Sequence, residues 1–232
     1  MKIIRNDPLI KRNAKISQYV LYLALITLVI GIYLTIQNNT PEEIGWAYLF
    51  LIPSYILVQI SITMGNNWSR SPRPDEVIAQ SLKGLDNQYS LYIYTTNIPL
   101  FLIGPAGLWI IKTYHQSGKI FLDEKKKTLK QKGGGNFLTR IFAHEGIGDV
   151  TKEALNIQAK LQKYLSDHEI SEHPELHVAN VFISDDVEID VTDYREPVLK
   201  ADKLKDFIRK TGKQVNLAPT QIETITSKLP LP

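Results

Sequence analysis

The chain has 232 residues, of which 44% are hydrophobic, and it carries 27 Lys and Arg against 24 Asp and Glu. This apolar content requires a buried core and excludes a disordered chain, while a formal charge of +3 says little about partners. Because cysteine is absent, disulfide bonds, thiolate-bound zinc or iron–sulfur centres and a cysteine nucleophile are excluded.

Two stretches near the N-terminus are long and free of charge. Residues 16–41 and 44–69 each form a run of 26 positions without Asp, Glu, Lys or Arg. Their purely apolar cores, residues 19–36 and 46–64, reach the roughly 20 residues that a helix needs to cross a bilayer. Backbone amides inside lipid must bond within their own segment, so we predict two transmembrane helices.

Two alternatives would also give apolar stretches in this region. A cleavable signal peptide has an apolar part of roughly 7–15 residues and a small-residue cleavage site, whereas the first stretch is longer and is followed by Asn38, Asn39 and Thr40. A buried hairpin of a soluble protein would need a large surrounding α-domain, which the remaining sequence does not supply. The membrane hairpin is therefore the favoured interpretation.

The charges that flank the two stretches predict their orientation. The connecting loop carries only Glu42 and Glu43. The basic flanking residues are Lys2, Arg5, Lys11, Arg12 and Lys15 before the first span, and Arg70 and Arg73 after the second. The positive-inside rule then predicts a two-pass protein of the cell membrane with both termini cytoplasmic. In this scheme residues 1–15 are a basic cytoplasmic N-terminus, 16–69 hold the spans and 70–232 form a cytoplasmic domain.

The cytoplasmic part has the size of one ordinary domain. A helix is predicted from Pro74 to Gly84, because proline suits a first helical turn and glycine suits its end. Periodicity and turn residues then predict strands over 89–95, 100–103, 107–111 and 119–122, a helix over 151–166, strands over 177–184 and 187–191, and helices over 201–210 and 220–228. This order predicts an α/β domain with a mixed central sheet flanked by helices.

Two short motifs lie among the predicted strands. The first reads Ile-Gly-Pro-Ala-Gly-Leu-Trp-Ile-Ile over 103–111, and the second reads Ser-Gly-Lys-Ile over 117–120. With these motifs and a helix over 152–161, the segment 74–200 resembles the nuclease-related domain family, NERD, which is similar to the PD-(D/E)xK nucleases. The resemblance implies a restriction-endonuclease-like fold.

The resemblance also implies where the catalytic positions fall. The glutamate of the family's first helix is kept as Glu76, but the metal-binding aspartate falls on Pro99 and the histidine after it on Leu100. The strand glutamate falls on Lys112 and the catalytic lysine on Tyr114. Metal-dependent hydrolysis of a phosphodiester needs converging acidic side chains. We therefore expect a nuclease-like fold that has lost its metal site and uses no cofactor, and we hypothesise that Lys112 pairs with Glu76 in place of the metal.

The strongest charge feature is a lysine-rich segment. Residues 119–140 contain seven basic and two acidic residues. Such a segment can bind the phosphates of nucleic acid or the anionic headgroups of membrane lipids, and the alternative is a solvated loop. The candidate binding residues are Lys125, Lys126, Lys127, Lys130 and Lys132.

Two clusters of potential metal ligands have simpler explanations. The histidines at 168, 173 and 177 fit no standard zinc spacing and are expected in a polar loop. The acids between 185 and 193 are expected on a solvated edge strand, where charge prevents pairing with another sheet.

These observations predict a membrane-anchored, catalytically inactive NERD-like domain that acts by binding nucleic acid, anionic lipid or a protein partner. A first alternative is an active metal-dependent nuclease that uses Mg²⁺ and takes further acids, such as Asp86 or Asp123, to accompany Glu76. A second alternative is a structural membrane protein whose domain mediates self-association into a homo-oligomer.

Overall fold

The structure is a computed structural model that describes residues 1–37, 41–123, 126–134, 147–170 and 173–229. These residues divide into two compact units. One is a helical unit, Asp7–Arg73. The other is a sheet unit, which combines Met1–Asn6 with the residues described from Pro74 onward.

The helical unit consists of helix α1 (Asp7–Gln37) and helix α2 (Pro41–Met64), followed by one wide helical turn at Gly65–Ser69. Both helices are long and apolar enough to cross a membrane. At 1.5 Å per residue α1 is about 46 Å long, which exceeds the roughly 30 Å thickness of a bilayer core. It begins before the predicted span because the polar residues after Asp7 continue the same helix.

Small residues spaced seven apart form the contact between α1 and α2. They are Ser17, Ala24 and Gly31 on α1 and Ala47, Ser54 and Ser61 on α2, and all except Gly31 are at most 5% exposed. A seven-residue repeat keeps one helix face toward its partner, and small side chains let the two backbones approach closely. The large apolar side chains of both helices are exposed, which suits a lipid environment better than water.

The sheet unit contains nine strands among the described residues, arranged in two sheets. The strands are β1 (Lys2–Arg5), β2 (Ser90–Ile93), β3 (Leu100–Gly104), β4 (Gly107–Tyr114), β5 (Gly118–Asp123), β6 (Thr128–Lys132), β7 (Leu176–Phe182), β8 (Val187–Asp190) and β9 (Val198–Lys200). The larger sheet has the order β1-β2-β3-β4-β7-β9 and the smaller one β6-β5-β8. In the larger sheet β3 is antiparallel to both β2 and β4, while β1, β7 and β9 run parallel to their neighbours.

Helices cover both faces of the larger sheet. They are α3 (Pro74–Ser81), α4 (Val150–Asp167), α5 (Ala201–Val215) and α6 (Pro219–Lys228). Buried residues of α4 and α6 share one core with Leu108 and Ile110 of β4. Successive strand residues point to opposite faces, and Trp109 contacts Phe207 of α5 at a centroid distance of 5.3 Å. Since α3 packs against α5, these two helices lie on the face opposite to α4.

The predicted mixed sheet with flanking helices is confirmed, but three short strands were not predicted. Strand β6 lies in the lysine-rich segment, β9 has three residues, and β1 lies before the helical unit. The proposed N-terminal segment 1–15 is thereby divided, because Lys2–Arg5 pairs with β2 and the residues after Asn6 belong to α1. Pairing with a strand almost 90 positions later leaves no signal in the local sequence.

We predict that β1 contributes directly to the stability of the sheet unit. Ile4 is 4% exposed within the core, whereas its neighbour Ile3 is 48% exposed. Ile4→Ala should therefore lower the free energy of unfolding by about 2 to 5 kcal/mol, and Ile3→Ala should change it by no more than about 0.5 kcal/mol. Chemical denaturation of the full-length protein in detergent measures both, and equal effects of the two substitutions would contradict the placement of β1.

A second pair of substitutions tests the close approach of α1 and α2. A Cβ atom on Gly31 would lie 2.7 Å from Cδ2 and 3.2 Å from the backbone N of Leu51, whereas one on Gly45 would meet nothing within 4 Å. Gly31→Val should destabilise the helical unit by about 1 to 3 kcal/mol more than Gly45→Val. Unfolding of the full-length protein by SDS measures this difference, and similar curves for the two variants would rule out the tight contact.

Candidate functional site

The carboxyl ends of several strands meet at one edge of the larger sheet. Strands β2, β4 and β7 run in the same direction, since β3 reverses between β2 and β4 and β7 is parallel to β4. In open α/β sheets ligands bind beyond this edge. If these residues form a site, the positions that the resemblance assigns to catalysis should lie close together at this edge.

Three of the assigned positions come together at this edge. Extending the antiparallel register of β3 and β4 by two residues beyond the pair Phe101–Ile110 places Pro99 opposite Lys112. Lys112 and Tyr114 lie on the same face of β4 because they are two residues apart. The Lys112 ammonium lies 4.9 Å from the centroid of the Tyr114 ring, within the range of a cation–π contact.

Lys112 is paired with a residue that was not assigned to the site. Its ammonium contacts the Glu153 carboxylate of α4, although within the described residues this ion pair lacks the geometry of a hydrogen bond. The Lys112 side chain is 20% exposed and that of Glu153 is 46% exposed. Burial lowers the pKa of Lys112 to about 8, because a low-dielectric surrounding disfavours the charged form.

The hypothesis that Lys112 pairs with Glu76 is wrong. Glu76 lies on α3, which packs against α5, whereas Lys112 lies on the face covered by α4. The strand alternation that directs Leu108 and Ile110 toward α4 also directs Lys112 there. Glu76 is thus separated by the sheet from Lys112 and Tyr114, and a half-buried place in the first turn of a helix accounts for its charge.

A buried polar network surrounds the hydroxyl of Tyr114. This hydroxyl donates a hydrogen bond of 3.3 Å to Oδ1 of Asn180, which lies opposite Lys112 in the β4–β7 register. Burial raises the pKa of Tyr114, and the nearby Tyr194 and Glu196 raise it further. The Tyr194 hydroxyl is 2.8 Å from Oγ1 of Thr151 in the first turn of α4.

Three polar atoms in this region are buried without a hydrogen-bond partner among the described residues. They are Nζ of Lys112, Nδ2 of Asn180 and Oε2 of Glu196. Asn180 is 0% and Glu196 8% exposed. Lys112 is ion-paired with Glu153, so the feature that distinguishes this edge is the clustering of these buried polar groups. We refer to Lys112, Tyr114, Asn180 and Glu196 as the edge cluster.

The lysine-rich segment forms a β-hairpin made of β5 and β6. Lys126 and Lys127 lie in its turn, Lys130 and Lys132 lie on β6, and all four are exposed. Lys125 lies outside the described residues. Lys130 pairs with Asp123 at 2.5 Å, so the hairpin presents less positive charge than its composition indicates. The alternative interpretation of this segment, a solvated loop, is wrong for residues 128–132, because they form a strand that pairs with β5.

The histidines expected in one polar loop lie in different elements, because His168 follows α4 whereas His177 lies on β7. Among the described residues, no group of three or more His, Asp or Glu side chains is arranged to hold a metal ion. Nδ1 of His168 lies 2.8 Å from the Tyr164 carbonyl, and His177 packs on Trp109. The acids of β8 lie on an edge strand, where Asp190 pairs with Lys119 at 2.7 Å.

An open groove elsewhere in the sheet unit contains none of the predicted site residues. It lies between the end of α4 and helix α6 and has a mixed lining that includes Glu169, His173, Thr224 and Lys228. Lys228 donates a hydrogen bond of 2.6 Å to the Glu169 carbonyl. No buried unpaired polar atom of the described residues belongs to this lining, so we regard the edge cluster as the stronger candidate.

Sequence reasoning identified Lys112 and Tyr114 but missed Asn180, Glu196 and Glu153 as their partners. Asn180 lies inside a predicted strand, where an isolated polar residue among apolar ones was a usable signal. Glu153 stands where glutamine is usual in the helix that resembles the family. No local pattern indicates Glu196, because its contacts depend on the pairing of β9 with β7.

No protein-family model, curated protein or solved structure matches this chain. The resemblance to NERD therefore rests on the motifs in residues 103–120 and on the helix over 152–161.

The lowered pKa of Lys112 predicts a specific dependence of stability on pH. Below about pH 8 Lys112 is protonated in both folded and unfolded states, and the burial of its charge opposes folding. Between about pH 8 and the ordinary value of 10.5 the unfolded chain binds more protons, so this contribution to stability rises with pH. Lys112→Met should therefore stabilise the protein most below pH 8, and its advantage should shrink toward pH 10.5.

Denaturation of the full-length protein at several pH values measures this effect as the difference between variant and wild type. The exposed Lys160 provides the control, since Lys160→Met should show a difference that does not vary with pH. A difference for Lys112→Met that is equally flat would show that burial does not oppose the charge of Lys112.

Proposed function

We propose that this protein is a membrane-anchored, nuclease-related domain that binds nucleic acid without cleaving it. The observation that carries the proposal is the partly buried Lys112, whose ammonium occupies the sheet edge where the resemblance assigns the strand glutamate of the nuclease site. A lysine supplies three donors and no acceptor, so it repels the cation that an acidic residue would attract.

The neighbouring positions support the same conclusion. Pro99 has no side-chain ligand to offer, and the Tyr114 hydroxyl is already bonded to Asn180. Metal-assisted hydrolysis needs carboxylates to hold the ion and a group to orient the attacking water. We infer that this edge retains the layout of a nuclease-related sheet while its chemistry has changed from hydrolysis to binding.

The fold proposed for the sheet unit is restriction-endonuclease-like. What supports it is the mixed sheet with helices on both faces and the placement of the two motifs on β3, β4 and β5. The assignment rests on the resemblance, and the mixed sheet is compatible with it.

The hairpin of β5 and β6 is the proposed nucleic-acid surface. Exposed lysines in its turn and along β6 follow one edge of the smaller sheet, and lysines bind phosphates by displacing counterions. The opposite edge strand, β8, is acidic. Repulsion by this edge would confine a nucleic acid to the hairpin side of the smaller sheet.

We propose that α1 and α2 anchor the protein in the cell membrane as a two-pass hairpin with both ends in the cytoplasm. The basic residues of the flanks support this orientation. So does the chain connectivity, because β1 precedes α1 while β2 follows α2, and the two strands pair. Two crossings leave both flanks of the hairpin on one side of a membrane, as this pairing requires.

Binding and cleavage of DNA by the full-length protein in maltoside detergent test the proposal. The full chain is needed because β1 lies before the helices. We expect labelled single- and double-stranded DNA to bind with an affinity that falls with salt, and to stay intact in Mg²⁺ or Mn²⁺ as well as in chelator. Replacing Lys126, Lys127 and Lys132 by alanine should reduce the slope of log affinity against log salt by about 3.

A matched triple variant controls for the loss of charge. Lys160, Lys163 and Lys213 are exposed on α4 and α5, and their replacement by alanine should leave the slope unchanged. Metal-dependent cutting that is lost in Glu76→Ala would favour the active nuclease. Absence of DNA binding would overturn the proposal, favouring lipid recognition if anionic vesicles bind and self-association if an oligomer survives high salt.

A further inference from the structure

One exposed tyrosine of the helical unit differs from the others in its position along the helix. Tyr55 lies at the middle of the apolar stretch 46–64, nine residues and about 13.5 Å along the helix axis from either end. Its side chain is 55% exposed. The other exposed tyrosines lie within three residues of an end of their apolar stretch, where tyrosine is enriched at membrane interfaces. They are Tyr19, Tyr22, Tyr33 and Tyr48.

The packing of α2 against α1 gives the same depth for Tyr55. Leu51 contacts Gly31 so closely that an added Cβ on the glycine would lie 2.7 Å from Cδ2 of Leu51. Each of these two residues lies about one helical turn from the middle of its own apolar stretch, toward the connecting loop, so the two midpoints lie side by side. In the proposed membrane hairpin Tyr55 is therefore in the hydrocarbon core, where there is no water to pair with its hydroxyl.

Other hydroxyls of the helical unit are paired within their own helix. Those of Thr27, Thr35 and Thr63 donate to the carbonyl four residues earlier, at 2.7, 2.8 and 3.1 Å. A tyrosine hydroxyl is held away from its own backbone by the ring and cannot form this bond. Tyr55 also follows Ser54, which contacts α1, so its side chain is turned about 100° away from α1.

Tyr55 belongs to a stripe of residues along one face of α2. Successive members are separated by four, three, four and three residues, which is the spacing of a helix–helix contact. The three members nearest the connecting loop are all more than half exposed. We refer to the five residues as the α2 stripe, and they are Tyr48, Ile52, Tyr55, Gln59 and Ile62.

We propose that the α2 stripe packs against the same stripe of a second copy of this chain, forming a parallel dimer within the membrane. The inference rests on the proposed membrane anchoring and goes beyond the proposed binding of nucleic acid.

The depth and the chemistry of the stripe both favour a second copy as its partner. Two copies with the same orientation are related by an axis along the membrane normal, so each residue meets residues at its own depth. Tyr55 then lies opposite Tyr55 of the other copy, and one hydroxyl donates to the other because a phenol both donates and accepts. The side-chain amide of Gln59 also has both capacities, which makes the stripe complementary to itself. Lipid tails offer neither group.

Because the chain contains no cysteine, single introduced cysteines test this contact without background. Full-length Ile52→Cys in phosphatidylcholine vesicles, oxidised with copper phenanthroline, should form a disulfide-linked dimer in most of the protein. Val29→Cys is the matched control, since Val29 is similarly exposed but lies two residues from Gly31 and so faces away from α2. It should give only the linking expected from random collision. Equal linking of the two variants, or none, would overturn the proposal.

A second substitution tests the hydroxyl itself. Tyr55→Phe keeps the ring and removes the hydroxyl, so it should weaken the dimer about threefold to tenfold, as expected for a hydrogen bond between membrane helices. Energy transfer between labelled copies, followed while the vesicles are diluted with lipid, measures the affinity, and a cysteine in place of the exposed Lys213 carries the label. Tyr33→Phe should leave the affinity unchanged, because that hydroxyl lies near the membrane interface. An equal effect of the two substitutions would overturn the pairing at Tyr55.

Flotation of the vesicles distinguishes a failure of this inference from a failure of the proposed anchoring. Protein that floats with the vesicles but stays monomeric would overturn the dimer alone and leave the stripe to a different membrane protein. Protein that does not float would overturn the anchoring and the dimer together. Neither result bears on the binding of DNA in detergent, which tests the proposed nucleic-acid surface separately.

Discussion

The parallel pairing of β4 with β7 determines most of the sheet unit. It extends over seven residue pairs, from Leu108–Leu176 to Tyr114–Phe182. Parallel neighbours cannot be joined by a tight turn and need a long crossover, so the chain between them forms the β5–β6 hairpin and α4. Helix α4 then covers one face of the sheet and brings Glu153 to Lys112. The edge cluster is a consequence of this pairing, because the register places Asn180 beside Lys112.

The smaller sheet repeats this arrangement and explains the charge distribution. Strands β5 and β8 continue the chain beyond β4 and β7 and are again parallel. Their register brings Lys119 beside Glu188 and near Asp190, with which it pairs. The basic and acidic segments, distant in sequence, are thus joined through the pairing of their strands. Among the described residues of the hairpin, Lys126, Lys127 and Lys132 are exposed, whereas Lys130 is paired with Asp123.

The chain enters the apolar helices from the sheet unit and returns to it, and β1 is the element that precedes them. Asn6 alone separates β1 from α1, and the chain returns to the sheet unit at Pro74. The elements on either side of the helical unit both belong to the sheet unit, because β1 pairs with β2 and α3 packs against α5. This arrangement agrees with the proposed orientation, since it needs both flanks on one side of a membrane.

The sequence by itself determined the elements whose signals are local. Charge-free runs indicated α1 and α2, and period-two or helical patterns bounded by proline and glycine indicated strands such as β4 and helices such as α4, because side-chain periodicity follows backbone geometry. The resemblance assigned Lys112 and Tyr114 to the site, although the strand predicted over 107–111 ended before them and β4 continues to Tyr114. The tertiary structure alone decided the pairing of β1, β6 and β9, the separation of Glu76 from Lys112, and the approach of Glu153, Asn180 and Glu196. These contacts join residues that are far apart in the chain, and strand register and helix placement, which set them, depend on the packing of the whole core.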